Sequence, residues 1–232
     1  MKHVGSVLLV SMALLGSVWA ASGEKAKERI RDSATVMKEI MSAPDQGIPG
    51  SVLDKAKCVV VVPSVKKAAL GVGGEYGRGV MTCRSGADFT GKWSAPVMMT
   101  LAGGSFGFQI GGQATDFVIV VMNDSGARAM LHNKLKLGAD ASVAAGPVGR
   151  SAEAATNENL KAEMLSYSRS RGAFAGVSLA GATLHPDSED DANLYGEKVT
   201  ADQIISGQVT MPEEARPLVE TLAQAAPSRG SR

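Results

Sequence analysis

The first clear pattern along the chain is helical and covers Ser22 to Ser42. Apolar side chains recur there at intervals of three and four residues, at Ala26, Ile30, Ala34, Met37 and Met41. This spacing predicts an amphipathic helix with one apolar face. Basic and acidic residues alternate over the rest of its surface. Two interpretations stay open: a solvated face joined by ion pairs between neighbouring turns, or a helix lying on a membrane surface. The helix alone favours the first, because its acids nearly cancel its bases.

Farther along the chain the period changes to two, which is typical of β-strands. Cys58 to Val62 is an apolar, β-branched run and predicts a buried strand. Leu70 to Gly79 (LGVGGEYGRG) carries glycine on alternate positions, and Leu101 to Gly112 and Gly172 to Leu184 repeat this theme. A strand face made of glycine needs a reason. We expect another backbone, a helix or a ligand to lie close against it.

Matched strands with small side chains on one face indicate a single sheet that is wrapped tightly. Thr200 to Ser206 and Glu213 to Ala223 predict two helices that close the chain. The predicted fold class is therefore α+β. It combines a strongly curved, mainly antiparallel β-sheet or barrel with an N-terminal amphipathic helix and C-terminal helices.

The beginning of the 232-residue sequence has the pattern of a secretory leader. Lys2 and His3 precede a short apolar run from Val4 to Leu15, and small residues precede a cleavage point before Ala21. We therefore expect a signal peptide over 1–20, a single domain over 21–225 and a flexible tail over 226–232. This organisation predicts a periplasmic or secreted protein.

The charges nearly cancel over the whole chain, with a formal net charge of +1. This balance argues against a general nucleic-acid binder. Two local groups stand out. Lys66 and Lys67 lie in a short basic link predicted over 64–69, which suits an anionic lipid surface or is an ordinary turn. Asp187 to Asp191 is a predicted acidic loop, and its spacing does not match an EF-hand calcium site.

The chain contains two cysteines, Cys58 and Cys83. In an exported protein we expect them to form a disulfide between neighbouring antiparallel strands, since one opens a predicted strand and the other closes one. Two free buried thiols are the alternative. A metal site built on two cysteines alone is not expected.

Sequence motifs give no support for catalysis or for a bound cofactor. There is no nucleotide-binding glycine motif, no GxSxG and no HExxH. Beyond the predicted leader, the histidines are His132 and His185, and neither lies in a nucleophile motif. We therefore expect a protein that is not an enzyme and that has no catalytic residues, metal or cofactor.

Several motifs in order resemble the SYLF domain, also called the Ysc84 actin-binding domain. They are KCVVVVPSVKKAALGVGGEYGRG at 57–79, AAGPVGR at 144–150 and LSYSRSRGAFAGVSLAGATL at 165–184. The resemblance covers nearly the whole chain after the predicted leader. Combined with that leader, it indicates a bacterial exported member of the family.

The resemblance implies a lipid-binding domain, because relatives bind acidic phosphoinositides partly through a basic N-terminal segment, and some bind actin filaments. Carried onto this chain, the segment supplies five lipid-binding residues: Lys25, Lys27, Arg29, Arg31 and Lys38. Lys66 and Lys67 form a second patch. In an envelope the expected partner is an anionic phospholipid on a membrane surface, reached by charge and followed by burial of apolar residues.

Two other functions stay open at this point. The chain is an envelope structural or interaction protein that binds a protein partner through the glycine-faced sheet, or it is a carrier that holds a lipid tail inside the curved sheet. Salt sensitivity and dependence on anionic lipid separate the first from surface docking. A well-packed interior counts against the second.

Overall fold

The computed structural model describes residues 4–43, 47–70, 72–106, 111–148, 162–170, 173–177 and 179–228. The helices in this part of the chain are α1 (Val4–Ser42), α2 (Gly50–Lys55), α3 (Asp124–His132), α4 (Ser188–Tyr195), α5 (Ala201–Ile205) and α6 (Arg216–Ala225). A short 3-10 turn, Glu213–Ala215, leads into α6. The predicted helix at 22–42 is thus confirmed as the C-terminal part of α1. The helix continues through the predicted cleavage point, and the leader itself stays a prediction.

The strands of the described residues form one curled sheet. They are β1 (Cys58–Leu70), β2 (Val72–Cys83), β3 (Val97–Phe106), β4 (Gly111–Val121), β5 (Leu135–Lys136), β6 (Val143–Ala145), β7 (Met164–Ser170), β8 (Ala173–Gly176) and β9 (Thr183–Pro186). Their order is β5-β9-β3-β2-β1-β4-β7-β6, and β8 pairs with β7 beside this path. Every pair is antiparallel except β6 with β7. The α+β prediction is confirmed, and the sheet curls into a half-barrel.

Both faces of the sheet are covered, which explains the continuous apolar run that opens β1. Val59 and Val61 pack in a cluster with the apolar side chains of α1 and α6. Val60 and Val62 point the other way, into a second cluster that includes side chains of α3 and α5. Successive residues of a strand face opposite sides, so each side needs its own helices. Because buried side chains fill both clusters, this arrangement counts against a lipid tail held inside the sheet.

The disulfide prediction is confirmed. Cys58 and Cys83 are bonded to each other and are register partners of β1 and β2, with a Cα–Cα distance of 3.9 Å. Both residues are fully buried. The bond ties the start of β1 to the end of β2 across 25 residues of chain.

The glycine face of β2 is explained by a close backbone, as predicted. The pairing of β1 shifts register between Val61 and Lys66, so this part of β1 bulges toward its neighbours. A Cβ atom on Gly77 would lie 2.6 Å from Val65 Cγ2, and one on Gly79 would lie 2.0 Å from the carbonyl oxygen of Val61. Only glycine therefore fits under the bulge at these two positions.

Two predicted loops and one predicted strand are wrong in detail. The link expected over 64–69 lies inside β1, because the bulge lets the strand continue past Pro63. The single strand expected over 101–112 is the end of β3 and the beginning of β4, with 107–110 outside the described residues. The acidic loop at 187–191 is the cap and first turn of α4, since the Asp187 side chain accepts a hydrogen bond from the Asp190 N–H.

The flexible tail expected over 226–232 stays a prediction, and its first two residues are bonded to the rest of the fold. Ala226 is fully buried, and its carbonyl oxygen accepts hydrogen bonds at 3.0 Å from the Trp93 indole and from the Arg84 guanidinium. Arg84 also donates to the carbonyl of Pro227 at 3.0 Å. These bonds hold the end of α6 on the sheet as far as Pro227, and 229–232 lie outside the described residues.

Candidate functional site: a charged groove between helix α1 and the β1 bulge

A groove of about 410 Å³ separates α1 from the first two strands, and we call it the α1–β1 groove. One wall is a charged face of α1, and the other consists of the β1 bulge and the exposed side of β2. The lining residues are Lys25, Glu28, Arg29, Asp32, Pro63, Ser64, Lys66, Tyr76, Gly77 and Arg78. The groove therefore combines four basic side chains, two carboxylates and one aromatic ring.

The sequence of α1 explains its contribution to the groove. Lys25, Glu28, Arg29 and Asp32 follow the spacing i, i+3, i+4, i+7, which places them on one side of a helix. Ile30 and the other buried apolar residues occupy the neighbouring face and pack on the sheet. Packing of the apolar face thus fixes the direction of the charged face, which borders the groove.

A polar network holds the β1 bulge that forms the opposite wall. Ser64 has a positive φ of 50°, which non-glycine residues seldom adopt. Its N–H donates to Asp116 Oδ1 at 2.8 Å. The other oxygen of Asp116 binds the Arg169 guanidinium at 2.7 Å, and Arg169 also forms an ion pair with Glu39 of α1. The backbone that carries Lys66 is therefore tied to β4, β7 and α1.

Two of the four basic residues in the groove are already engaged. Arg29 binds Asp190 Oδ2 at 2.5 Å and is only 16% exposed, and Arg78 binds the same oxygen at 3.1 Å. Arg78 Nε also donates to the Tyr76 hydroxyl at 2.7 Å. This bond, together with the charges of Asp190 and Asp187, raises the pKa of Arg78 against the opposing effect of burial. Asp190 thereby joins α1, β2 and α4.

A second carboxylate of α4 lies beneath this ion cluster. Asp191 is 1% exposed, and its Oδ1 accepts a hydrogen bond of 2.8 Å from the N–H of Met98. Burial raises the pKa of Asp191 to about 7, the Met98 N–H opposes this shift, and the charges of Asp187 and Asp190 add to it. Asp190 and Asp191 thus have partners within the fold. Among the described residues, no group of three or more His, Cys, Asp or Glu side chains is placed to hold a metal ion.

The seven basic residues predicted from the sequence do not form one patch. Lys25 and Lys66 meet at the α1–β1 groove, beside the engaged Arg29. Lys27 lies about 200° from Lys25 around the helix axis, since each residue turns an α-helix by about 100°. It binds Glu214, in the 3-10 turn that leads into α6, at 3.5 Å.

The remaining predicted residues are also separated from the groove. Arg31 binds Glu24 at 3.0 Å and Glu214 at 3.4 Å. Lys38 lines a different groove of about 480 Å³ between α1 and α6. Lys67 binds Glu75 at 3.0 Å and lies 5.0 Å from the centroid of the Phe117 ring.

Sequence reasoning missed Tyr76 and Arg78 of β2 as members of the groove, and it did not assign Glu28 and Asp32 of α1 to a site. Tyr76 is 48% exposed and is the one exposed large hydrophobic residue among the side chains that the structure describes. It is the register partner of Lys66 across β1 and β2. A signal for Tyr76 and Arg78 was present in the sequence. These two residues alternate with the glycines that face the bulge and must therefore point to the other side of β2.

Fold and groove together define an α+β binding domain: a curled sheet with helices on both faces and a charged groove on its surface. The model of the Ysc84 family, described as "Las17-binding protein actin regulator", matches residues 102–225. The chain belongs to this family, as its motifs indicated. The description is that of a binding regulator rather than an enzyme.

Relatives in fungi and animals extend the match toward the N-terminus. The chain is 34% identical over 204 residues to Protein YSC84 of Saccharomyces cerevisiae, covering 84% of this chain and 43% of that protein. It is 39% identical to the SH3 domain-containing protein PJ696.02 of Schizosaccharomyces pombe, covering 75% of this chain and 40% of that protein. It is 34% identical to SH3 domain-containing YSC84-like protein 1 of Bos taurus, covering 84% and 58% respectively. The chain thus spans about half the length of these relatives.

Proposed function

We propose that this protein binds the surface of anionic phospholipid membranes without catalysis, and that it does so with α1 docked on the sheet. The observation that carries the proposal is the meeting of Lys25 and Lys66 at the α1–β1 groove, beside the exposed ring of Tyr76. In the described part of the chain, no ion pair engages either lysine. Their charges are available to lipid phosphates, and an aromatic ring with a polar end suits the interface between headgroups and acyl chains.

Helix α1 stays on the sheet in this proposal, for energetic reasons. Ile30, Val36, Met37 and Ile40 are each at most 3% exposed. Exposing such a side chain costs about 1.5–3 kcal/mol, so releasing four of them costs about 6–12 kcal/mol. A lysine near an anionic surface returns only about 1 kcal/mol. Tyr76, and not the apolar face of α1, therefore supplies the apolar atoms that are buried in the lipid.

The same magnitudes predict weak and reversible binding. Two lysines supply about 2 kcal/mol at the surface of an anionic membrane, and mobile ions screen this attraction over about 8 Å at physiological salt. Binding should consequently require a high fraction of anionic lipid and should fall as salt is added. Among the described residues, no helix is long and apolar enough to cross a membrane.

The proposed location is the bacterial envelope, after removal of residues 1–20. The support is the sequence of the leader, whose short apolar run precedes small residues before Ala21. N-terminal sequencing of the protein recovered from periplasmic and culture fractions tests this part. A mature chain that begins at residue 21 supports it, and an intact Met1 in the cytoplasmic fraction contradicts it.

Co-sedimentation with vesicles tests the membrane proposal. Both the full chain and the chain from Ala21 are mixed with phosphatidylcholine vesicles, with and without phosphatidylglycerol, at low and high salt. The second form separates binding by the domain from binding by the apolar leader. We expect binding that depends on phosphatidylglycerol and declines with salt.

Charge-removing variants locate the binding surface in the same assay. Lys25→Gln with Lys66→Gln should abolish most of the binding. Lys55→Gln with Lys134→Gln is the matched control, because it removes two exposed lysines away from the groove. Equal losses of binding in the two double variants would show that net charge, and not the groove, determines binding. The absence of binding at low salt would refute the proposal.

A protein partner is the second candidate function. It is supported by the description of the family model, which names Las17 binding and actin regulation. The groove between α1 and α6, which contains Arg31 and Lys38 together with Glu213 and Glu214, offers charges of both signs for such a partner. Chemical crosslinking in intact cells, followed by mass spectrometry, would recover a protein crosslinked at Lys38 if this candidate is correct.

A further inference from the structure

We propose that the α1–β1 groove binds a single phosphodiester headgroup whose alcohol part carries hydrogen-bond donors, as glycerol and ethanolamine do. This inference rests on the proposed membrane binding and gives it a defined site in place of diffuse attraction. The phosphate lies between Lys25 and Lys66, and the donors of the alcohol face the carboxylates of Glu28 and Asp32. All four side chains line the same groove.

The phosphate position follows from which cations are available. Arg29 and Arg78 both bind Asp190, and Arg78 also lies 3.9 Å from Asp187, so two carboxylates offset their two charges inside the fold. Lys25 and Lys66 are exposed and come from opposite walls of the groove. An ammonium group forms up to three hydrogen bonds with phosphate oxygens. A phosphate between the two walls is thus contacted from both sides, whereas a flat surface would contact it from one.

The carboxylates determine what else the ligand must carry. Glu28 and Asp32 are exposed on the groove face of α1. Ionised carboxylates only accept hydrogen bonds, and they repel a second phosphate group. Hydroxyl and ammonium donors suit them, whereas the trimethylammonium group of choline has no N–H to donate. The groove therefore favours glycerol and ethanolamine diesters over choline diesters and over ligands with several phosphates.

The size and shape of the groove agree with a headgroup rather than a whole lipid. Its volume of about 410 Å³ lies near the lower end of the range of about 300–1,000 Å³ typical of small-molecule sites. Gly77 contributes no side chain to the groove, and the β1 bulge leaves no space there for a larger residue. Acyl chains of a bound lipid would remain in the bilayer, beside the exposed Tyr76.

Water-soluble headgroups test the site without a membrane. The full chain is titrated at constant ionic strength with glycerophosphoglycerol, glycerophosphoethanolamine, glycerophosphocholine and inorganic phosphate, and amide resonances of Lys66 and Gly77 are followed by NMR. We expect saturable binding of the first two ligands and weaker binding of the last two. Lys25→Gln and Lys66→Gln should each weaken binding about fivefold, which corresponds to about 1 kcal/mol per lysine.

A second variant tests the role of the carboxylates. Glu28→Gln with Asp32→Asn should remove the preference over glycerophosphocholine while binding of the phosphate persists. Lys55→Gln, at an exposed site outside the groove, should leave all affinities unchanged. Equal affinity for the choline diester in the unmodified protein would overturn the inference, as would binding that survives loss of both groove lysines.

The outcomes also separate this inference from the membrane proposal. Vesicle binding without any headgroup binding would overturn the defined site and leave docking by charge intact. Headgroup binding without vesicle binding would support the site and overturn membrane docking. Inorganic phosphate that binds as tightly as the diesters would identify free phosphate as the ligand and overturn the headgroup assignment.

Discussion

The buried carboxylate of Asp191 should make the stability of this protein fall as the pH rises. Its pKa is about 7 in the folded protein, against an ordinary value of 3.8. Between these values the folded state holds a proton that the unfolded state has released. The free energy of unfolding therefore decreases with rising pH over this interval. The stabilisation is fully present below about pH 4 and is lost as the pH passes through 7.

The magnitude follows from the size of the pKa difference. It is about 3 pH units, and each unit corresponds to about 1.36 kcal/mol, so the whole effect is on the order of 4 kcal/mol. Between pH 5 and pH 8 the expected change is about 3 kcal/mol. Asp191→Asn removes this dependence, because the amide has no titrating proton and its oxygen can still accept the hydrogen bond from Met98 N–H.

Urea unfolding at pH 5, 6, 7 and 8 measures the effect. The emission of Trp93 reports the transition, since its indole is 5% exposed and bonded to Ala226 in the folded state. The free energy of unfolding of Asp191→Asn, relative to that of the unmodified protein, should rise by about 3 kcal/mol between pH 5 and pH 8. Glu220→Gln, which removes an exposed carboxylate from α6, is the control and should parallel the unmodified protein. A difference between Asp191→Asn and the unmodified protein that stays constant with pH would refute the assignment. A difference that moves the other way would show that Asp191 is ionised in the folded protein over this pH range.

Three further predictions concern the packing that supports the groove. Gly79→Ala should lower the free energy of unfolding by about 1–3 kcal/mol, because the new Cβ meets the Val61 carbonyl; an unchanged urea midpoint would mean that the bulge is free to move. Reduction of the Cys58–Cys83 bond should lower stability by about 3 kcal/mol on the chain-entropy estimate, measured by urea unfolding with and without dithiothreitol, and a loss below 1 kcal/mol would contradict this. Ile30→Ala should cost about 2–5 kcal/mol and should increase amide hydrogen exchange along α1; exchange that rises equally in α3 would contradict a local effect.

Much of the fold was predictable from local patterns, because those patterns reflect which atoms must be buried. The run from Cys58 to Val62 is apolar on both faces, and the structure places helices on both sides of it. The alternating glycines at 77 and 79 indicated that another backbone, a helix or a ligand lies close, and the β1 bulge is that neighbour. The predicted export of the chain, together with the positions of the two cysteines in their predicted strands, led to the expected disulfide, which the structure contains.

The site was less predictable, because its partners are distant in sequence. Arg29 meets Asp190 across 161 positions, and Arg78 meets it across 112. No spacing rule connects such residues, so all the basic residues of α1 looked equally available. In the structure they are not equally available, because the packing of the apolar face directs Lys25 to the groove and Lys27 to Glu214, just before α6. Helical periodicity gave the separation between these two lysines but not the neighbour that each would meet.

The interspersed acids of α1 show why charge counting was a poor guide to function in this helix. By number they nearly neutralise the bases, which argued from sequence for an ordinary solvated face. In the structure Glu39 binds Arg169 of β7 and so helps to fix α1 on the sheet, and Glu24 binds Arg31 within α1 itself. Glu28 and Asp32 remain on the groove wall. The two acids on the groove wall therefore lie next to Lys25 and Lys66, which no ion pair engages among the described residues. Such a surface attracts an anionic membrane only weakly, because the two carboxylates offset part of the attraction of the two lysines. Its capacity to discriminate between ligands must come from the relative positions of the two lysines and the two carboxylates.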